Sequence, residues 1–163
     1  MAIVTVALPI RTPEGEFLAH YSGQGLAELD FPQPKAHTVK KPGSLPADIR
    51  IWHRLTEAAL NSILDGKEPA GLPPLMPVGT AFQQSVWTAM RAIPMGHTRS
   101  YGEIAEEVGR PKAVRAVGGA CGANPIPVLV PCHRVLAAKK QIGGFGGGLA
   151  WKRRLLEAEG VYV

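Results

Sequence analysis

The stretch SYGEIAEEVGRPKAVRAVGGA, residues 100–120, decides how the second half of this chain folds. Ser100 and Glu103 have the spacing of a capping box, which opens a short helix through Ile104, Ala105 and Val108 that Gly109 ends. Pro111 suits the first turn of a further helix, with Ala113, Val114 and Val117 facing inward. Two short helices joined at Gly109-Arg110-Pro111 predict a helix-turn-helix. If the second helix enters a DNA groove, Lys112 and Arg115 project beside the small residues Ala116, Gly118, Gly119 and Ala120. Small side chains let a helix approach a nucleic-acid backbone closely. Ordinary helix packing is the competing explanation of the same pattern.

Working outward, Thr80 and Gln83 form another capping box, before a helix with Phe82, Val86, Met90 and Ile93 on its inner face. A last helix is expected from about Leu149 to Glu159, with Leu155 and Leu156 inward and Gly160 as its stop. Toward the N-terminus, the alternation Ile3-Val4-Thr5-Val6-Ala7 and that from Gly25 to Phe31 predict strands. Turn signals at Pro13-Glu14-Gly15 and Ser22-Gly23 make residues 2–31 a small antiparallel meander. From Asp48 the spacing Ile51, Leu55, Ala58/Ala59, Ile63 is helical, and Gly66 stops it. Residues 32–46 read as a loop, and residues 66–79, rich in Pro and Gly, as a linker. The expected fold is α+β. A support domain over residues 1–75 carries the sheet and a helix, and residues 79–163 form a mainly helical domain.

The composition bounds the function. The chain has 163 residues, 45% hydrophobic and 19% charged, which is globular composition. Its two cysteines, Cys121 and Cys132, exclude a disulfide-stapled scaffold and any four-cysteine metal site. The apolar run from Ile3 to Ile10 is too short for a membrane span and lacks a basic leader, so a cytoplasmic protein without membrane contact is expected. Residues 1–79 carry seven Lys/Arg against eight Asp/Glu; residues 80–163 carry eleven against five. The whole positive surplus therefore lies in the half with both cysteines, as in a polyanion binder, although solubilising charge would look similar.

The residues for chemistry lie in Val128-Leu129-Val130-Pro131-Cys132-His133-Arg134-Val135-Leu136, read as an apolar strand holding a reactive trio. An isolated buried thiol is inert; an imidazole that takes its proton yields the nucleophilic thiolate. His133 then needs an acceptor on its other ring nitrogen, and Glu159 is the natural candidate. Adjacent residues on an ideal strand point apart, so either Pro131 bends the backbone or a water bridges the pair. A core cysteine beside a surface histidine is the bland alternative.

Pro131-Cys132-His133-Arg134 resembles the acceptor motif of the O6-alkylguanine-DNA alkyltransferases, the methylated-DNA–protein-cysteine methyltransferases. Three further segments resemble the same family in order and spacing: Gly79 to Trp87, Thr98 to Ala105, and Arg115 to Ala120 followed by Asn124-Pro125-Ile126-Pro127. The likeness covers Gly79 to about Gly160; the first half resembles the family only loosely, through Thr12-Pro13, Gly15 and Gly25-Leu26.

The resemblance implies a DNA-repair enzyme whose partner is double-stranded DNA containing alkylated bases. It would bind the minor groove, flip out O6-alkylguanine or O4-alkylthymine, and transfer the alkyl group irreversibly to Cys132 in a single turnover. Arg115 would fill the vacated place in the stack, with Lys112, Ala116 and Gly119 at the DNA. Tyr101 would press on the backbone and assist at the base. Glu159 would orient His133, a water would relay the proton, and Asn124 would brace the adjoining turn. Pro127, Val135, Gly143, Phe145 and Gly146 would shape the pocket, with backbone groups near Val135 and Gly146 reading the base edge. The Gly-rich run from Gly143 to Gly148 would be a wall close to the flipped base; it lacks the GK[ST] of a phosphate loop.

No cofactor and no metal are expected, and the protein should act as a monomer. Some relatives hold zinc through N-terminal cysteines and histidines, but this chain has no cysteine before Cys121, and His20, His37 and His53 alone are weak ligands. Cys121 has no neighbouring base and reads as a packing residue. Phe145 stands where some relatives have tyrosine and Gly146 where some have serine, changes that bear on alkyl-size preference. Three other readings compete. A non-catalytic alkylated-DNA-binding protein would lack the acceptor cysteine. A sequence-reading regulator would carry base-reading side chains where this helix has Ala and Gly. A cysteine hydrolase would show an oxyanion-hole signature.

Overall fold

The computed structural model describes residues 4–163, so the expected strand start at residues 2–3 lies outside the described residues. Three antiparallel strands, β1 (Val4–Thr12), β2 (Gly15–Ser22) and β3 (Gly25–Asp30), form the expected meander in the order β1-β2-β3. The turn registers Thr12 against Gly15 and Ser22 against Gly25. Gly15 and Gly25 both have positive φ, which only glycine adopts without strain.

Helix α1 (Ala47–Leu64) forms where its spacing predicts and covers one face of this sheet, with Ala59 and Ile63 inward but the stripe rotated away from Ile51 toward Thr56. Ile49, Thr56, Ala59, Leu60, Ile63 and Leu64 are buried, while Ile51 is 55% exposed. The rotation follows from Tyr21, fully buried on β2, whose hydroxyl bonds Thr56 Oγ1 at 2.9 Å and His53 Nδ1 at 2.8 Å. A buried hydroxyl needs a partner, so the polar residues of α1 turn toward it.

Residues 66–79 are more than a tether. Leu26 N–H donates to Pro74 O at 2.9 Å and Met76 N–H to Leu26 O at 2.8 Å, so the segment adds to the edge of β3.

Beyond it, α2 (Ala81–Arg91) begins with the expected capping box on Thr80 and Gln83 and buries Val86, Trp87, Ala89 and Met90. A two-residue strand β4 (Arg99–Ser100), which had no sequence signal, runs parallel to β5 (Val135–Leu136) and leads into α3 (Tyr101–Glu107). Ser100 caps α3 reciprocally with Glu103, as expected. Then α4 (Val114–Gly122) packs on α2 and α3, with Trp87 Nε1 donating to Ala120 O at 2.8 Å. The chain ends in α5 (Leu149–Ala158), which buries Leu155 and Leu156.

Two expectations need correction here. Pro111 lies in the turn before α4, whose N-cap is Ala113, and Val114 is 41% exposed rather than inward. Gly109, at positive φ, turns the chain, and the turn takes up three more residues before helical bonding starts. Second, residues 128–134 do not form a strand. Val128 is in the left-handed region, and the bonds Val130 N to Ile126 O, Cys132 N to Val130 O and Arg134 N to Pro131 O coil the segment. Pro125, Pro127 and Pro131 have no N–H to give a sheet, so the backbone satisfies itself locally.

One apolar cluster runs from Leu8, Phe17 and Leu29 through Leu60 to Val86, Ile104, Val117 and Leu155. Each large side chain fully buried there contributes about 1.5–3 kcal/mol.

Candidate active site

Cys132 opens a single 3₁₀ turn, Cys132–Arg134, in the coiled segment between α4 and β5. The bent backbone resolves the geometric difficulty of neighbouring residues on a strand, since successive side chains on a tight helical turn do not point to opposite faces. Asn124 holds the preceding turn from both ends of its amide: Nδ2 donates to Val130 O at 2.8 Å, and Oδ1 accepts from Ile126 N at 3.0 Å.

His133 is fully buried, and its Nε2 lies 2.7 Å from Glu159 Oε2. Glu159 caps the C-terminus of α5, where the helix dipole disfavours a carboxylate. Arg134 offsets that cost with a fork: Nε donates to Glu159 Oε1 at 2.8 Å, and Nη2 to Oε2 at 3.2 Å. Its Nη1 donates to Ile93 O at 2.7 Å, tying the site to the end of α2. Burial pushes the Glu159 carboxyl up, but the bonds from His133 and Arg134 outweigh it and bring the group down to about 2. Glu159 is therefore ionised and only accepts, which places the imidazole proton on Nε2. Burial lowers the pKa of His133, so the ring is neutral and Nδ1 carries a lone pair. That Nδ1 is buried with no hydrogen-bond partner among the described residues.

Burial pushes the Cys132 thiol up to about 11, against the pull of the Asn124 side chain and the Lys152 ammonium. The resting pair is thus a thiol and a neutral imidazole, and a base is required to make the thiolate. Cys121 is pushed by burial to about 12, and its Sγ lies 3.5 Å from Met90 Sδ, consistent with a packing residue.

Cys132 faces a cavity of about 550 Å³ whose lining includes Cys121, Asn124, Pro127, Phe145 and Gly146. A smaller space of about 130 Å³ adjoins it between Tyr101, Gly118 and Cys132. Of the expected pocket residues, Pro127, Phe145 and Gly146 line the larger space. Val135 and Gly143 stand behind the wall: Val135 is fully buried in β5, and an added Cβ on Gly143 would lie 2.9 Å from the Tyr101 hydroxyl. The Val135 carbonyl accepts from Lys152 Nζ at 2.7 Å.

Lys152 is the residue that the sequence did not single out, and Arg134, part of the reactive trio, had no role assigned to it. Lys152 is fully buried on α5, bonds Val135 O and Gly144 O at 2.7 and 3.0 Å, and lies 5.8 Å from the centre of the Tyr101 ring. A lysine on the inner face of a helix beside Leu155 and Leu156 was the available signal. It staples the Gly-rich run to β5 and sets a positive charge near the thiol.

Outside the cavity, Arg115, Ala116 and Gly119 are exposed on α4 and Lys112 is exposed in the turn before it. Cβ atoms added at Gly118, Gly119 or Gly122 would meet nothing within 4 Å, so this face of α4 is bare. The three N-terminal histidines serve separate partners: His20 bonds Asp30, His53 bonds Tyr21, and His37 lies 3.2 Å from Phe31 O. His20, Glu28 and Asp30 do lie together, their ligand atoms within 4.8 Å of one another.

A buried Cys-His-Glu arrangement beside a bare helix that carries Arg115 can be set against known proteins. Residues 81–161 match the family described as 6-O-methylguanine DNA methyltransferase, DNA binding domain. A methylated-DNA–protein-cysteine methyltransferase of Haemophilus influenzae is 41% identical over 155 residues, 91% of this chain and 82% of that protein. One from Methanosarcina acetivorans is 40% identical over 91% of this chain and 94% of its own. The crystal structure of Mycobacterium tuberculosis OGT in complex with DNA superposes with a TM-score of 0.77 at 39% identity, covering 95% of this chain and 92% of that one. No helix among the described residues is long and apolar enough to cross a membrane. Likeness at this level runs through both halves of the molecule, and the chain belongs to the methylated-DNA–protein-cysteine methyltransferase family.

Proposed function

We propose that this protein repairs DNA directly, by moving an alkyl group from the O6 atom of guanine in duplex DNA onto Cys132. The observation that carries the reading is the Cys132 thiol at the cavity beside a neutral His133 whose Nε2 is held by Glu159 at 2.7 Å. His133 Nδ1 takes the thiol proton through a water, and the Glu159 carboxylate stabilises the imidazolium that forms. The thiolate attacks the alkyl carbon, the carbon–O6 bond breaks with its electron pair on the base, and a proton restores guanine. Tyr101 and the small space beside it serve that last proton. The thioether has no leaving group that water could displace at neutral pH, so one molecule repairs one lesion.

Reaching the thiol requires the nucleotide to leave the stack, at a cost of a few kcal/mol. The bare face of α4 enters the minor groove, whose degenerate code suits a protein that must act in any sequence. Arg115 takes the place of the flipped base, and Lys112 neutralises phosphate. O4-alkylthymine is the second substrate, and residues 79–163 make up the catalytic domain. The binding-only reading is disfavoured by the acceptor thiol in the cavity.

The test is the intact mass of the protein after incubation with duplex DNA containing O6-methylguanine. A single added methyl group mapped to Cys132, absent in Cys132→Ser, is the expected result. Tight binding of the lesion without an adduct would assign the protein to damage recognition alone.

A further inference from the structure

The turn after β5 is built from residues that tight turns of its kind disfavour. Gln141 N–H donates to Ala138 O at 3.3 Å and Ala137 N–H to Gln141 O at 2.8 Å, so the chain reverses over residues 138–141. Its two central residues, Lys139 and Lys140, have φ of 58° and 57°. Positive φ at both central positions defines a type I′ turn, where glycine and asparagine are the usual occupants. In a lysine the same backbone brings Cβ close to the following carbonyl oxygen and is strained. Both lysines are exposed, and among the described residues neither side chain has an ion pair or a hydrogen bond. No contact within the protein therefore offsets the strain.

We propose that the Lys139-Lys140 turn grips the phosphates flanking the flipped nucleotide, on the strand that carries the lesion. It holds the duplex against the cavity from the side opposite α4. The proposal rests on the alkyl-transfer reading above.

Two further observations place and charge the turn for this task. A Cβ added at Gly143 would lie 2.9 Å from the Tyr101 hydroxyl and 3.4 Å from Ala137 N, so the base of the turn packs on Tyr101. Tyr101, Gly144 and Phe145 share the small space beside Cys132 with Gly118 and Gly122 of α4. The bare helix and the loop that carries the lysines thus face one another across the way to the thiol. Between Glu107 and Glu157 the chain has nine Lys/Arg and no acidic residue, so no carboxylate of that stretch competes with phosphate for the two ammonium groups. Phosphate contacts position a duplex without reading its sequence, as repair at any site requires.

The experiment uses two double variants of the full chain. Lys139→Asn with Lys140→Gly supplies the residues that a type I′ turn prefers and removes both charges. Lys139→Gln with Lys140→Gln removes the charges and keeps the strain. Affinity for a duplex containing O6-methylguanine is measured across salt concentrations, beside thermal denaturation and methyl transfer to Cys132. The Asn-Gly variant should melt about 2–4 °C higher than wild type. Both variants should bind about tenfold more weakly, with a plot of log affinity against log salt shallower by about 2, the signature of two lost phosphate contacts. Wild-type affinity and salt slope in either variant overturn the proposal. So does a lower melting temperature in the Asn-Gly variant, which would mean that the lysines serve the fold. Wild-type protein that transfers no methyl group would instead overturn the proposed function itself.

Discussion

His133 donates its Nε2–H to Glu159 across 2.7 Å, and neither side chain reaches solvent. The bond decides which imidazole nitrogen is free to act as a base. It joins the turn after Pro131 to the end of α5, 26 residues further on. Glu159→Gln would keep the shape and remove the charge, allowing the amide to donate to the ring and invert its tautomer. It would also leave the Arg134 guanidinium buried without its counterion, at a cost of about 3–5 kcal/mol. The expected outcome is a lowered melting temperature and an alkyl-transfer rate reduced at least tenfold at a temperature where the variant is folded. Thermal denaturation and single-turnover adduct formation measure the two effects separately. A rate equal to wild type would show that the tautomer is set elsewhere.

Stability should fall on both sides of neutrality. Folding lowers the pKa of His133 and takes Glu159 down to about 2, so the unfolded chain binds more protons than the folded one in acid. Stability from these groups is complete above the ordinary imidazole value of 6.5 and is lost as pH falls through the folded values. Cys132 has the opposite sign. Its stabilisation is present below 9.0 and is lost as pH rises through about 11. Urea denaturation midpoints across pH would show both arms, and Cys132→Ser should shrink the alkaline one, leaving the shares of Cys121, Tyr21 and Tyr101, whose pKa values burial also raises. An alkaline arm of undiminished size in that variant would contradict the buried thiol.

Lys152→Met fills similar space without the ammonium. The carbonyls of Val135 and Gly144 lose their donor, each at a cost of about 1–3 kcal/mol if it stays buried. The thiol also loses the positive charge that favours its ionised form. Hydrogen exchange should speed up between Gly143 and Gly148, and the alkaline limb of the rate profile should move to higher pH. Unchanged exchange in that run would mean that it is held by other contacts.

Arg115→Ala leaves the fold alone, because the side chain is exposed and in no ion pair among the described residues. If the arginine replaces the flipped base, the loss should be greatest on fully paired duplex, about tenfold to a hundredfold for a flipping cost of a few kcal/mol. Reaction with free O6-benzylguanine should be spared. Equal losses on both substrates would rule out the intercalating role, and comparing the two rates is a direct measurement.

The elements that local rules govern were legible in the residues alone. Thr80 with Gln83 and Ser100 with Glu103 marked two helix starts that the structure reproduces, since a capping box is a contact between residues three apart. The meander followed from alternation and glycine turns, and Pro-Cys-His-Arg with its companion segments carried the family. What failed was where distant residues competed with local preference. The valines from 128 to 130 have strand propensity, yet three prolines and the Asn124 side chain coil them into the turn that presents Cys132. In α1 the spacing marked the helix and its buried Ala59 and Ile63, but not the turn of Thr56 and His53 toward Tyr21, a residue on another element.

The sequence by itself determined the chemistry on offer: one thiol beside an imidazole, a carboxylate at the end of a helix, and a helix of small residues with one arginine after a tight turn. The tertiary structure alone decided how these act. It put Arg134 on Glu159 and Lys152 beneath the Gly-rich run, and it brought Phe31 from the first half against the cavity at Cys132. A buried charge must find its partner and a cavity must have walls on every side. Both requirements are met by residues far apart in the chain, which no local pattern records.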